Sequence, residues 1–244
     1  MKYKLLISYD GTEFGGWQIQ PNAPSIQQHI QETLSIILRE PIEVTGASRT
    51  DAGVHATGQV AHFTTHSAID HKRIHASLNG MLPSAIRIHD LEETTPEFHA
   101  RYSAKRKIYH YYLYLHPTLD PFRRKFATHI PYPLDRELLT RACTHFIGTH
   151  DFTSFANEGG AAKTKTRTLY RLEITPIDSH TLRLEFEGDG FLYKMVRNIV
   201  GTLLDIARGH TPLEALPAIF AAKDRRSAGL SAPPQGLFLM QVIY

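Results

Sequence analysis

The stretch Gly46-Ala47-Ser48-Arg49-Thr50-Asp51-Ala52-Gly53-Val54-His55-Ala56 is a polar loop between two apolar segments, residues 42–44 and 60–63, that are typical of β-strands. Its two glycines permit positive φ angles and let a ligand approach the backbone closely. Two strands joined by a loop form the middle of a β-α-β-β-α-β unit, so the segments on either side decide the fold.

The segments before and after this loop complete such a unit. Residues 5–9 predict a strand, and the capping box Ser25-Ile26-Gln27-Gln28 predicts the start of a helix. Beyond the loop, Asp70 is expected to cap a second helix that ends before Pro83. Residues 86–91 predict the closing strand.

The rest of the chain repeats this order of elements. Strands are predicted at residues 108–115, 168–175, 182–187 and 236–244, and helices at residues 135–147 and 191–208. An additional helix is expected to begin at residues 211–214, with Thr211 as its cap and Pro212 in its first turn.

We therefore expect an α+β fold of two tandem ferredoxin-like β-α-β-β-α-β halves. Their sheets would be mostly antiparallel and would flank a central cleft that suits a nucleic acid. The N-terminal half, residues 1–105, would carry the Asp51 loop, and the C-terminal half, residues 106–244, would complete the cleft.

Composition favours a cytoplasmic protein. The chain is 42% hydrophobic and 21% charged, and its apolar runs fall well short of the roughly 20 residues that span a bilayer. The apolar run at the N-terminus is too short for a signal peptide. The single cysteine, Cys143, excludes an intramolecular disulfide and a cysteine-based zinc cluster, and its helical context predicts core packing.

The charge of the chain is modest, but its cations are clustered. The formal net charge is +3, with basic runs such as Lys105-Arg106-Lys107 and Arg123-Arg124-Lys125. Local basic patches on a nearly neutral chain favour a polyanionic partner. Each cluster taken alone is more often a solvated surface.

Asp51 and Arg49 are the first candidate functional residues. A carboxylate can act as a nucleophile or a base, and a guanidinium can hold a phosphate, stack on a base, or occupy the space that a base has left. An Asp-Ala-Gly sequence is also ordinary turn chemistry. The concentration of Arg49, Thr50, Asp51 and His55 in one loop favours a functional site over a simple turn.

Two other stretches supply complementary groups. In the run from Phe98 to Tyr111, cations alternate with aromatic residues, and Tyr109 and Tyr111, on one face of the predicted strand, could stack on an extruded base. Aromatic packing within a strand explains the same pattern. Arg197 lies at the edge of the apolar face of the helix predicted at 191–208. A buried arginine needs an acid or a phosphate partner, and Asp51 is one candidate.

Metal and nucleotide sites are not expected. His62 and His66, and also His71 and His75, have i,i+4 spacing, but neither pair forms a His-Glu-x-x-His motif. The glycine-rich residues 9–20 lack the Gly-Lys-Ser/Thr sequence of a phosphate-binding Walker loop.

Five motifs in order along the chain resemble the tRNA pseudouridine synthase A (TruA) family. Tyr-Asp-Gly-Thr-x-Phe-x-Gly-Trp-Gln-x-Gln matches residues 9–20, Gly-Arg-Thr-Asp-Ala-Gly-Val-His-Ala matches 48–56, Phe-His-Ala-Arg matches 98–101, Gly-x-Gly-Phe-Leu-x-x-Met-Val-Arg matches 188–197, and Gly-Leu-x-Leu-x-x-Val-x-Tyr matches 236–244. Ser48 replaces the usual glycine of the second motif, and we expect it to alter the turn slightly.

The resemblance implies isomerisation of uridine to pseudouridine in the anticodon stem-loop of tRNA, at tRNA positions 38, 39 and 40. By residue matching, Asp51 is the catalytic aspartate, Arg197 pairs with it, Arg49 enters the stem where the target nucleotide leaves, and Tyr109 stacks on the target base. The resemblance also implies no metal and no organic cofactor, and a homodimer with the RNA across both subunits; the short apolar runs predict no membrane partner.

Two other functions remain open at this point. A non-catalytic RNA-binding module on the same fold would bind RNA with no catalysis to lose on replacement of Asp51. A zinc-dependent hydrolase would use the paired histidines. The intact set of Asp51, Arg49, Tyr109 and Arg197 favours the synthase.

Overall fold

The computed structural model describes residues 1–160 and 162–244, which divide into two compact units. The first unit comprises residues 1–105 and 238–244, and the second comprises residues 106–237. The sequence placed residues 238–244 with the second half. The structure differs because the last strand, β10 (Leu237–Ile243), pairs in parallel with β3 (His55–Thr64) of the first unit.

The first unit contains one antiparallel sheet, extended by β10, and two helices. The remaining elements are β1 (Lys2–Tyr9), α1 (Ile26–Leu38), β2 (Thr45–Gly46), α2 (His71–Met81) and β4 (Ile86–Thr94). Strand β1 lies between β4 and β3, and β2 pairs with β3, each pair being antiparallel. The order β4-β1-β3-β2 is that of a ferredoxin-like unit, which confirms the predicted fold class.

Both helices of this unit begin at the predicted caps. The Ser25 hydroxyl accepts from the Gln28 N–H at 3.2 Å, and the Asp70 carboxylate accepts from the Arg73 N–H at 3.1 Å. The Gln28 side chain bonds to Glu32 within α1.

The strand predicted at residues 42–44 is wrong. Ile42 and Val44 are buried, but the backbone N–H of Ile42 donates to Ser35 Oγ and that of Val44 donates to Gln31 Oε1. Side chains of α1 therefore satisfy this segment, and the strand is limited to Thr45–Gly46.

The second unit repeats the arrangement with additions. It contains β5 (Arg106–Leu115), β6 (Thr128–Ile130), α3 (Arg136–Thr144), β7 (Gly148–Asp151), β8 (Thr166–Pro176), β9 (Thr181–Gly188), α4 (Met195–Ala207) and α5 (Leu216–Ala222). The sheet order is β5-β9-β8-β7 with antiparallel pairing, and β6 adds to β5 in parallel. The β5-β9-β8 order corresponds to β1-β3-β2 of the first unit.

Two helix starts in this unit differ from the sequence prediction. Helix α4 begins at Met195 rather than at residue 191, because Lys194 is left-handed with φ 59° and the Phe191 ring lies against Tyr109. The additional helix begins as a 3-10 turn at Leu213, and its cap is Pro212 rather than Thr211. In the part of the chain that the structure describes, no helix has the length and apolar character needed to cross a bilayer.

Candidate functional site

The Asp51 loop connects β2 to β3, and a buried glutamine clamps its first part. Gln59, which is fully buried on β3, accepts from the Ser48 N–H at 3.1 Å and donates to the Ser48 carbonyl at 2.7 Å. The Ala47 N–H donates to the Val60 carbonyl at 2.7 Å. The backbone that enters the loop is therefore fixed by β3 itself.

The residue before Asp51 is fixed from the other side. The Tyr9 hydroxyl lies 2.7 Å from Thr50 Oγ1, and the Trp17 N–H donates to the Thr50 carbonyl at 3.0 Å. Gly16 has φ +100°, and a Cβ there would lie 2.5 Å from the Thr50 carbonyl oxygen. Only glycine fits at this position, because both the backbone angle and the available space exclude a side chain.

The loop then turns back into β3. The Val54 N–H donates to the Asp51 carbonyl at 3.1 Å, and Gly53 has φ 75°. His55, which the sequence placed in the loop, is the buried first residue of β3. Its Nδ1 accepts from the Gly11 N–H at 3.1 Å, and its ring stacks on Phe238 at 4.5 Å. His55 thus supports the loop instead of facing solvent with it.

Asp51 is half-buried within this braced loop, and Arg49 is exposed two residues before it. The non-glycine residues with positive φ among those described are Arg39, Lys194 and Lys223, so Ser48 has an ordinary negative φ. The serine that replaces the usual glycine therefore introduces no backbone strain. The loop presents one carboxylate and one accessible guanidinium on a rigid support.

The second unit carries the aromatic candidate. Tyr109 lies on β5 opposite Phe186 of β9 and is 6% exposed. The Phe191 ring meets it edge to face, with centroids 4.9 Å apart and planes at 74°. The Tyr109 ring is therefore nearly buried and packs on Phe191.

The same unit carries Arg197, the third residue of α4. Its Nε donates to the Ala232 carbonyl at 2.7 Å, and the Ala232 N–H donates to the Arg197 carbonyl at 2.9 Å. These two bonds fix the Arg197 backbone and the Nε end of its half-buried guanidinium. The structure thus places Asp51 and Arg49 together in the first unit, and Tyr109 and Arg197 in the second.

Two supporting residues escaped the sequence analysis. Gln59 and Asn198 are both fully buried polar residues, at 0% exposure. Gln59 directly precedes the strand-like residues 60–63, and Asn198 lies within the largely apolar residues 195–200, so the sequence offers this signal. Their partners are backbone groups and side chains far away in sequence, which it does not reveal.

The histidines and the cysteine have structural contacts. His75 Nε2 lies 2.8 Å from the Ile88 carbonyl oxygen, and His71 packs edge-on against Tyr3. Among the described residues, no group of three or more His, Cys, Asp or Glu side chains is placed to hold a metal ion. Burial raises the pKa of the Cys143 thiol to about 12, so it stays protonated and is part of the core.

Comparison with known proteins assigns the chain to a family. The tRNA pseudouridine synthase family model matches residues 5–103 and 142–244. The chain belongs to the tRNA pseudouridine synthase family. Members of this family are isomerases. The Asp51 loop and Arg197 lie within the matched residues, and Tyr109 lies in the segment between the two matched ranges.

Full-length relatives support the assignment to the tRNA pseudouridine synthase family. The chain is 59% identical over 246 residues to tRNA pseudouridine synthase A 1 of Protochlamydia amoebophila, covering 99% of this chain and 96% of the relative. It is 44% identical over 243 residues to tRNA pseudouridine synthase A of Ruminiclostridium cellulolyticum, covering 100% and 99%. A solved Cbf5-Nop10-Gar1 complex matches with TM-score 0.37 and 13% identity, over 98% of this chain and 57% of the other.

Proposed function

We propose that this protein converts uridine to pseudouridine in the anticodon stem-loop of tRNA, at positions 38, 39 and 40. The observation that carries the proposal is the half-buried Asp51 beside the exposed Arg49, in a loop whose backbone is fixed on both sides. A rigid support is what a nucleophile or base requires, since small displacements of the reacting groups cost rate. The names of the full-length relatives supply tRNA as the substrate class.

The substrate uridine has to leave the stem before it can react. The glycosidic bond of a stacked nucleotide is inaccessible, and flipping the nucleotide out costs a few kcal/mol, roughly the energy of one lost stacking step. In the proposal, Arg49 occupies the space left in the stem, because its side chain is exposed and its guanidinium is planar. The Tyr109 ring stacks on the extruded base.

The chemistry is an intramolecular exchange of bonds. Asp51 acts as a carboxylate, either by adding to the base or the sugar or by taking a sugar proton. The nitrogen–carbon glycosidic bond breaks, the base rotates, and a carbon–carbon bond forms between base and sugar. The base carbon that forms this bond loses one proton, and the base nitrogen released from the sugar gains one. Uridine and pseudouridine have the same composition, so the reaction consumes no oxidant, reductant or co-substrate.

Arg197 orients and neutralises the reacting carboxylate in this proposal. The Ala232 carbonyl holds the Arg197 Nε, and because the guanidinium is planar, this bond also restricts the orientation of its two terminal nitrogens. Stacking of the detached base on Tyr109 favours reattachment over escape. We further propose that the enzyme is a cytoplasmic homodimer that binds RNA across both subunits, with no metal or organic cofactor.

Pseudouridine-specific mapping of unmodified tRNA transcripts tests the proposal. Wild-type protein is expected to modify the anticodon stem-loop, and Asp51→Asn is expected to bind RNA normally without modifying it, because phosphate contacts and stacking carry the affinity. Asp70→Asn is the matched control, since asparagine caps a helix as well as aspartate does.

The rival function is a non-catalytic RNA-binding module on the same fold. It predicts that the wild-type protein and Asp51→Asn both bind RNA and that neither of them forms pseudouridine. Turnover by Asp51→Asn at the wild-type rate would instead refute the role of Asp51 while leaving the reaction in place.

A further inference from the structure

The Ala232 carbonyl that holds Arg197 belongs to an irregular segment. We call residues 228–233 the strap; they lie outside every helix and strand. The strap crosses α4 so closely that a Cβ at Gly201 would lie 1.6 Å from the Leu230 carbonyl oxygen. A segment without ladder hydrogen bonds depends on specific contacts for its position.

Those contacts occur along the whole strap. At one end, the Gly229 N–H donates to Thr202 Oγ1 of α4 at 2.9 Å. At the other end, the buried Tyr111 hydroxyl donates to the Pro233 carbonyl at 2.7 Å. The direction of the Arg197 side chain is therefore set by a segment that is itself held by side chains.

Asn198 is the centre of this arrangement. Its Nδ2 donates to the Phe155 carbonyl and to Asn157 Oδ1, both at 2.9 Å. Its Oδ1 accepts from Arg225 at 3.0 Å and from the Ser231 hydroxyl. Two donated and two accepted bonds use the full capacity of a buried amide, so its orientation is fixed.

Arg225 joins the strap to this amide. Besides Asn198, its guanidinium donates to the Ala228 carbonyl at 3.2 Å and to Asn157 Oδ1 at 3.4 Å. These partners are neutral, and burial lowers the pKa of Arg225, which marks a desolvated cation. Desolvation of an arginine costs free energy, and here its bonds hold the first residue of the strap, Ala228, and also Ser231 at 3.4 Å.

We propose that Arg225 is a positioning residue for the isomerisation. It acts through Asn198 and the strap to direct the Arg197 guanidinium, and it does not bind the RNA. The proposal rests on the function proposed above, because it assigns Arg197 to the reacting centre. An arginine in a basic cluster would otherwise be interpreted as a phosphate contact, and the two roles predict different kinetic effects.

The neighbouring arginine provides a matched control. Arg226 is 90% exposed and pairs with Asp224. We would compare wild type with Arg225→Met, Arg225→Lys, Ser231→Ala and Arg226→Met. For each protein, the single-turnover rate of pseudouridine formation, the Kd for an unmodified tRNA transcript and the thermal unfolding midpoint would be measured.

Arg225→Met is expected to lower the rate by about tenfold to hundredfold, with Kd within about twofold of wild type, because a misdirected Arg197 affects the reaction and not the phosphate contacts. Arg225→Lys should restore part of the rate, since one ammonium can replace some of the guanidinium bonds. Ser231→Ala should lower the rate less, and Arg226→Met should leave it unchanged.

A folded Arg225→Met protein with the wild-type rate would overturn the proposal. A weakened Kd with an unchanged rate would also overturn it, by making Arg225 an RNA contact. If Arg225→Met does not fold, a wild-type rate in Ser231→Ala overturns it. If the wild-type protein modifies no transcript, the proposed function itself is refuted. If the wild-type protein does modify transcripts, the variants test only the role of Arg225.

Discussion

Replacement of Gln59 by leucine tests whether the Asp51 loop is held by β3. The change keeps the approximate size of the side chain. It removes the hydrogen bonds to the Ser48 N–H at 3.1 Å and the Ser48 carbonyl at 2.7 Å, and a longer one to the Tyr9 hydroxyl at 3.4 Å. The two short bonds to Ser48 contribute roughly 1–3 kcal/mol in total, and the unpaired groups of half-buried Ser48 add roughly 1–2 kcal/mol. Burial of a leucine in place of an amide offsets about 1–2 kcal/mol of this.

The net expectation is a free energy of unfolding lower by about 2 kcal/mol for the first unit. The same change should lower the single-turnover rate by about tenfold, because the loop backbone at Asp51 loses its clamp.

Urea unfolding followed by tryptophan fluorescence measures the first effect. Trp17 is the single tryptophan of the chain and is 1% exposed, and its backbone N–H donates to the Thr50 carbonyl of the Asp51 loop. With a slope of about 2 kcal/mol per molar urea, the midpoint should fall by about 1 M. Gln241→Leu on the exposed face of β10 is the control and should shift it little. Unchanged unfolding and an unchanged rate in Gln59→Leu would refute the reasoning.

Three further results are expected. Gly16→Ala should reduce the modification rate, because its Cβ would lie 2.5 Å from the Thr50 carbonyl oxygen. Gly159→Ala is the control and should leave the rate unchanged, because Gly159 also has a positive φ, +84°, but no described atom lies within 4 Å of its Cβ position; equal rates in the two variants would contradict this. Tyr111→Phe removes two buried hydrogen bonds and should lower the free energy of unfolding by about 1–2 kcal/mol in thermal denaturation. Burial, with nearby cations, lowers the pKa of His62 from 6.5 to about 4. The unfolded chain therefore takes up that proton first, so the free energy of unfolding should fall between pH 6.5 and pH 4, and His62→Asn should remove this component in urea titrations.

The sequence predicted the elements whose formation depends on local chemistry. The caps at Ser25 and Asp70 and the spacing of buried residues in α1 follow from hydrogen bonds and contacts within one turn of helix. The start of α4 was missed because Lys194 takes a left-handed conformation, next to a segment that packs on Tyr109. Likewise, residues 42–44 have apolar character, but α1 side chains satisfy their backbone.

The candidate site divides in the same way. By itself, the sequence determined the repeated β-α-β-β-α-β order, the family, and the four candidate residues Asp51, Arg49, Tyr109 and Arg197, because motif residues and their spacing are local properties of the chain. It did not predict the additional strands β6 and β7. Only the tertiary structure decided how these residues are supported: Gln59 clamps the loop, and the Ala232 carbonyl accepts a hydrogen bond from Arg197. The partners of a buried polar group lie far along the chain, and they become identifiable only when folding brings them within hydrogen-bond distance.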